Sequence, residues 1–252
     1  MSSRWCGVTS AVTRQALDFA QRMISTEPAV AEEAIIARDC LLAAHVGSAL
    51  HICHVSTAGS VEIIRWAKSK GWRVTAEVTP HHLLLTDDLV ASYDPVYKVN
   101  PPLRTAADVA ALRGALADGT IDCVATDHAP HPLEYKETEW AAAAFGMTGL
   151  ETALRAVHEA MVETGLLDWA GVADRMSARP AAIGRLSGHG QPLAPGSAAS
   201  MTLYDPGPRE AVDPASHASR SRNTPFAGRV LPGRVVATFL RGRPTVLDGK
   251  LA

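Results

Sequence analysis

No apolar stretch in the sequence is long enough to span a bilayer. The opening residues, Met1-Ser-Ser-Arg-Trp-Cys-Gly7, lack the long apolar core of a secretory leader. Together these predict a cytoplasmic protein with no membrane partner. Cysteine is scarce: Cys6, Cys40, Cys53 and Cys123 form no CxxC pair, which fits reduced thiols better than a disulfide framework. Charge of one sign is also lacking. The formal net charge of −2 gives no reason to expect nucleic acid or an anionic surface as partner. There is no internal repeat and no low-complexity tract. What remains, 252 residues with 47% hydrophobic and 20% charged, is an ordinary globular composition, sufficient for one large domain or two small ones.

The most informative stretch is Ile121-Asp-Cys-Val-Ala-Thr-Asp-His-Ala-Pro-His-Pro132. Its apolar first half, Ile121 to Thr126, has the length of a buried strand and is too short for a free-standing helix. It ends in Asp127, His128 and His131, with Pro130 and Pro132 preventing regular structure from continuing. Three ionisable groups bunched within five positions at the end of a buried strand point to a functional site.

Either side of it the chain alternates. Residues 1–28 carry no motif, although Val12 to Met23 has the spacing of a short amphipathic helix. Ala29 to His45 reads as a helix with Ala34, Ile35, Leu41 and Leu42 on its apolar face and Glu32, Glu33, Arg38 and Asp39 on the other, closed by Gly47. Ala49 to His54 reads as a strand, Ser60 to Ser69 as a helix, Trp72 to Val78 as a strand running into Thr79-Pro-His81-His82. Thr105-Ala-Ala-Asp108 has the form of a capping box for a helix over 106–117, and Thr148-Gly-Leu-Glu151 the form of a cap for a helix through about 163; a further helix covers roughly 168–186. Strand, helix, strand, helix, strand, helix predicts an α/β fold of right-handed βαβ units on a parallel sheet. Each strand ends in polar residues: His54, then His81 and His82, then Asp127 and His131, the arrangement of a barrel rim. Past about residue 190 Pro and Gly become frequent and short β-type runs appear at 199–204, 235–240 and 244–247, with turn pairs Arg241-Gly242 and Asp248-Gly249. Glu134 to Glu139 and Arg220 to Arg222 read as solvated faces, and His45, His158, His189 and His217 as ordinary helix or surface residues.

The ordered set His51-Ile-Cys-His-Val-Ser56, Glu77-Val-Thr-Pro-His-His-Leu83, Asn100-Pro-Pro-Leu-Arg104, Thr126-Asp-His-Ala-Pro-His131, Gly146-Met-Thr-Gly-Leu-Glu151 and Ser219-Arg-Ser-Arg-Asn-Thr-Pro-Phe226 resembles the C-terminal part of a class I dihydroorotase of the amidohydrolase superfamily. The resemblance covers about residues 29 to 252. It implies an eight-stranded (β/α) TIM-like barrel with a β-sandwich built from both chain ends. The chain would hold about strands six to eight: residues 1–28 unassigned, 29–190 a partial metal-dependent hydrolase barrel, 191–252 the β-rich C-terminal part of the sandwich. It further implies a zinc site of one or two ions at the C-terminal rim. His54 matches the ligand ending the sixth strand, and Asp127 the ligand ending the eighth, which also shuttles the proton. Asn100 and His131 match residues that hold the pyrimidine ring and its carboxylate, and the backbone of Phe145 and Gly146 the loop that binds the ring amide. The implied reaction is the reversible cyclisation of N-carbamoyl-L-aspartate to dihydroorotate in pyrimidine biosynthesis. Zinc lowers the pKa of a bound water and polarises the amide carbonyl, and an aspartate moves the proton to the leaving nitrogen.

The chain departs from that pattern in its metal ligands. No His-x-His occurs anywhere, the Arg that follows it is absent with it, and neither the fourth-strand bridging carboxylate nor the fifth-strand His has a counterpart. Two ligands, His54 and Asp127, should hold a metal poorly, since a catalytic zinc takes three protein ligands and water. The chain therefore reads as about half an enzyme. The readings in play are a dihydroorotase acting on dihydroorotate or carbamoyl-aspartate, another cyclic amidohydrolase such as an allantoinase or hydantoinase, and a non-catalytic dihydroorotase-like subunit. A homodimer, or association with aspartate transcarbamoylase, is the expected protein partnership.

Overall fold

The computed structural model describes residues 28–252, so the expected helix over Val12 to Met23 lies outside the described residues. Helix α1 (Ala29–Val46) leads to strand β1 (Leu50–Ile52), α2 (Ala58–Ser69) to β2 (Val74–Val78), and α3 (Ala106–Asp118) to β3 (Cys123–Val124). The three strands form one parallel sheet in the order β1-β2-β3, with Ile52 opposite Ala76 and Val78 opposite Val124. One face of the sheet carries Ile52, Val74, Ala76 and Val78 into a core shared with Ile36 and Cys40 of α1, Val61 and Ile64 of α2, and Leu112 and Leu116 of α3. Helix α4 (Ala153–Val157) runs on through a π-helical turn, His158–Val162; α5 (Trp169–Ala173), a second π turn and α6 (Arg179–Ile183) complete this part.

The local signals are used where the chemistry is local. Thr105 and Asp108 form both halves of a capping box at the start of α3, an arrangement that stabilises by about 1 kcal/mol. Gly47 ends α1 at φ 67, a conformation that costs a residue with a Cβ and costs glycine nothing. Two expectations are corrected. The buried side of α1 is Glu32, Ile36 and Cys40, while Ile35, Leu41 and Leu42 are exposed. The apolar spacing of α1 fails as a guide because Glu32 is satisfied by distant polar partners. Thr148 and Glu151 do not cap a helix. Thr148 N–H donates to the Asn223 carbonyl, and the Glu151 carboxylate accepts from the backbone N–H groups of Ala218 and Ser219. Helix α4 begins four residues later than that cap would place it, with Thr152 preceding it.

Strands β4 (Met201–Ala211), β5 (Val230–Leu240), β6 (Arg243–Leu247) and β7 (Lys250–Leu251) form an antiparallel sheet in sequence order. The register of β4 on β5 shifts between Asp205 and Arg209, so that Pro206-Gly-Pro208 needs no ladder donors there. Arg241-Gly242 and Asp248-Gly249 all have positive φ, as a two-residue hairpin turn requires. A second apolar cluster of Leu85, Val99, Leu103, Trp140, Met147, Phe226 and Leu231 joins this sheet to the loops above the parallel one. Arg155 of α4 donates to the carbonyls of Glu210 and Leu231, and His158, buried in the helical turn that follows, meets the Tyr204 hydroxyl at 3.0 Å. The described residues thus form an α/β fold with one parallel and one antiparallel sheet. Among the described residues no helix is long and apolar enough to cross a membrane, and Cys40, Cys53 and Cys123 are unpaired.

Candidate active site

The C-terminal ends of β1, β2 and β3 bring their polar residues to one rim. His54 follows β1 at φ 39 and Asp127 follows β3 at φ 45, both in the left-handed region. L residues with a Cβ enter that region at a cost, and such strain gathers at functional positions. Among the described residues the buried Nδ1 of His54 has no hydrogen-bond partner. The Asp127 carboxylate makes no hydrogen bond or ion pair among the described residues. His81, at the end of β2, is also buried, with no partner for its Nε2 among the described residues, and burial, with His82 and His54 nearby, pushes its pKa well below the ordinary histidine value. His82 is a packing residue. Its Nδ1 meets Thr79 Oγ1 at 2.7 Å and its Nε2 the Pro101 and Pro102 carbonyls at 3.2 Å, while burial lowers its pKa to about 4 and keeps it neutral.

A buried network holds the rim in place. Glu32 of α1 accepts from the Ser56 backbone N–H at 3.0 Å, the Ser60 hydroxyl at 2.8 Å and the Ser56 hydroxyl. Arg104 donates from Nε to Ser56 Oγ at 3.0 Å and from Nη2 to Glu32 at 3.4 Å. The loop after β1, which carries His54, is thereby tied to Asn100-Pro-Pro-Leu-Arg104, whose Asn100–Pro101 bond is cis. His54 and Asn100 line one cleft of about 280 Å³ with Glu32, His51 and Cys53. A cleft of about 290 Å³ along 188–201 lies away from these residues.

His131, Phe145 and Gly146 meet on the far side of β3. His131 Nε2 stands 2.7 Å from the Phe145 carbonyl. Asn223, reaching across from the loop before β5, accepts from the His131 N–H and donates to the carbonyls of Ala129 (3.0 Å) and Gly146 (3.1 Å). Gly146 N–H donates to the Lys98 carbonyl at 2.9 Å, which joins this cluster to the segment carrying Asn100. Gly146 sits at φ 128, and a Cβ there would lie 2.5 Å from Ala129 Cβ, so only glycine fits. His128 points away from the rim, its Nδ1 accepting from the backbone N–H groups of Gly149 and Leu150.

Two lysines shape this loop. Lys98 Nζ donates to the carbonyls of Trp140, Ala141 and Ala143 and lies 4.4 Å from the centre of the Phe145 ring. Lys136 Nζ donates to the carbonyls of Lys98, Ala144 and Gly146. Burial lowers both pKa values, that of Lys136 to about 8. Lys136 lies within the charged run 134–139, so that run is not simply a solvated face: this ammonium is buried because carbonyls surround it. Sequence reasoning missed Glu32, Lys98, Lys136 and Asn223. Asn223 lies in a string that carries the family resemblance; for Lys136 no local signal existed.

Compared with known proteins, the chain matches no family model. It is 72% identical over 224 residues to a dihydroorotase of Streptomyces coelicolor, covering 89% of this chain and 52% of that protein. A dihydroorotase of Leifsonia xyli subsp. xyli is 63% identical over 222 residues, with 88% and 51% covered. Among solved structures, an L-hydantoinase (dihydropyrimidinase) from Arthrobacter aurescens superposes with a TM-score of 0.84 at 33% identity, over 90% of this chain and 51% of that one. The chain spans about half the length of the curated relatives it matches.

Proposed function

We propose, for a chain related to the dihydroorotases over nine-tenths of its length, that it carries the substrate-binding side and part of the metal site of a dihydroorotase. The reaction would be the reversible cyclisation of N-carbamoyl-L-aspartate to dihydroorotate in the cytoplasm. The 72% identity to the Streptomyces coelicolor dihydroorotase carries this reading. On it, the parallel sheet corresponds to strands six to eight of a (β/α)8 barrel over 29–190, and the antiparallel sheet to the 191–252 part of a composite β-sandwich.

A metal fits the rim in part. A buried imidazole nitrogen at His54 and a carboxylate at Asp127, both without a partner among the described residues, are donors of the type zinc takes. Two donors fall short of the three a catalytic zinc requires, so these two would hold one side of such an ion. Bound there, zinc would polarise the amide carbonyl and acidify a water. The chain's own residues would do the rest. Asp127, with one carboxylate oxygen toward the ion and the other without a partner among the described residues, would accept a proton and return it to the ring nitrogen. Asn100 would hold the ring at the cleft it shares with His54. The Gly146 N–H is already given to Lys98 and the Gly146 carbonyl already accepts from Lys136 and Asn223, so this backbone would offer the ring the second lone pair of the Phe145 carbonyl and its shape. His131 gives its Nε2 proton to Phe145 O in this arrangement, so pairing with a substrate carboxylate requires Nδ1–H or an exchange of that bond. His81 and His82, held neutral by burial, add no charge to the rim.

A second reading, a hydantoin or dihydropyrimidine hydrolase, rests on the likeness to the Arthrobacter aurescens enzyme. Binding and turnover of dihydroorotate, hydantoin and dihydrouracil, each measured with zinc present, separate the two. Dihydroorotate bound in preference and released by His131→Ala supports the first. Preference for hydantoin or dihydrouracil replaces it with the second, and no binding of any of the three removes both.

A further inference from the structure

The face of the parallel sheet opposite its helices carries a second set of metal-ligating side chains. The register sets His51 beside Thr75 and Glu77 beside Cys123, and alternation along β2 puts Thr75 and Glu77 on the same face. Three adjacent strands therefore project an imidazole, a carboxylate and a thiol side by side. His51 Nε2 is 3.0 Å from Glu77 Oε2, and one donor atom each of His51, Glu77 and Cys123 lies within 4.8 Å of the others. Cys53, two residues beyond His51, lies close enough for the Glu77 and Asp127 carboxylates to add to the effect of burial in raising its thiol pKa.

From this juxtaposition we infer that His51, Glu77 and Cys123 bind one borderline divalent cation of the zinc class, with donors that share no residue with the His54 and Asp127 pair. Nitrogen, oxygen and sulfur donors in one cluster suit zinc or cobalt, whereas magnesium and calcium take oxygen alone. Three protein ligands leave a fourth position open. The surroundings fit a ligating histidine. His51 Nδ1 is 2.8 Å from Thr75 Oγ1, which in turn reaches the Leu50 carbonyl at 3.4 Å. A hydrogen bond at Nδ1 leaves Nε2 as the coordinating atom. Donors around a tetrahedral zinc stand about 3.3–3.7 Å apart. The His51–Glu77 separation is already as short as that, and the 4.8 Å within which all three donors lie exceeds it by about 1 Å. Burial, aided by the Glu77 and Asp122 carboxylates, pushes the Cys123 thiol up to about 12. A coordinated thiol gives up its proton, so binding releases that proton to solvent and tightens as pH rises.

The test is a titration of the reduced 252-residue chain with Co²⁺, whose thiolate-to-metal charge-transfer absorption reports sulfur ligation without any assay of turnover. The expected result is one such cobalt per chain, displaced by Zn²⁺. Cys123→Ser should abolish the band. Glu77→Gln, which keeps every thiol, and Thr75→Val, which removes only the support of His51, should each weaken binding about tenfold or more. His54→Ala and Asp127→Asn should leave the band in place. The inference is overturned by the absence of a band, by a band that survives Cys123→Ser, or by one lost in His54→Ala. Should Cys123→Ser fail to give the parent's circular dichroism, Glu77→Gln decides in its place, and unchanged affinity there also overturns the assignment. None of these outcomes depends on the reaction proposed above.

Discussion

The two flanks of the candidate site are built in opposite ways. Around Gly146 the polar groups are used several times over: Lys98, Lys136 and Asn223 together supply donors to the carbonyls of residues 140, 141, 143, 144 and 146. At the rim of the parallel sheet, His54 and His81 bury nitrogens with no partner among the described residues, and His54 and Asp127 hold left-handed backbone. A buried polar atom without a partner costs roughly 1–3 kcal/mol. The loop flank is thus shaped by its own hydrogen bonds, and it can keep its geometry with no ligand. The rim flank is under strain that its own contacts do not relieve, which is the condition of groups placed to meet something else.

The strongest way to break the contrast is to cut the link between the flanks. Glu32→Ala removes the acceptor shared by Ser56, Ser60 and Arg104 and leaves the Arg104 guanidinium buried beside an empty place. A loss of about 3–5 kcal/mol is expected in urea unfolding, with Glu32→Gln losing less. Lys136→Met strips three carbonyls of a charged donor, for about 2–3 kcal/mol. This variant also carries a pH signature. The folded pKa is lowered to about 8 from 10.5, so between those values the unfolded chain binds the extra proton. The cost of burying this ammonium is then fully present below about pH 8 and fades as pH rises toward 10.5. The melting temperature of the parent should accordingly gain on that of Lys136→Met across that window. A difference that stays flat would mean that the carbonyls keep this ammonium charged. Gly146→Ala meets both a positive φ and the Ala129 methyl, and should cost about 1–3 kcal/mol while weakening dihydroorotate binding at the loop flank.

What the sequence made legible, and what it hid, divides by distance along the chain. Gly47, the Thr105–Asp108 box and the Arg241-Gly242 turn act on neighbours within four residues, and the structure uses them as their patterns predict. The Thr148–Glu151 pair has the same form as a cap, yet its partners are Ala218, Ser219 and Asn223, some seventy residues away. Glu32 fails in the same manner: an acid in a helix reads as solvent-facing unless Arg104, 72 positions on, is known to stand beside it. At the site, the strand ends at His54 and Asp127 could be seen because apolar runs stop there. The strained backbone of both residues, and the burial of Lys136 within a charged run, are consequences of packing that no local pattern encodes.

The smallest expected effect sharpens the contrast most. If the rim is shaped for a ligand and not for stability, replacing His54 should cost the fold almost nothing. His54→Gly removes a side chain whose buried nitrogen has no partner among the described residues and puts at φ 39 the one residue that adopts it freely. Against this stand the packing lost with the ring and the added entropy of glycine in the unfolded chain, each of order 1 kcal/mol. The terms oppose one another, so the change in unfolding free energy should lie within about 1 kcal/mol of zero. On the proposed role of His54 as a zinc donor, zinc-dependent dihydroorotate binding should vanish in the same protein. A loss of stability comparable to that of Glu32→Ala would mean that the imidazole is a core residue after all. The two flanks would then differ in hydrogen bonding without differing in purpose.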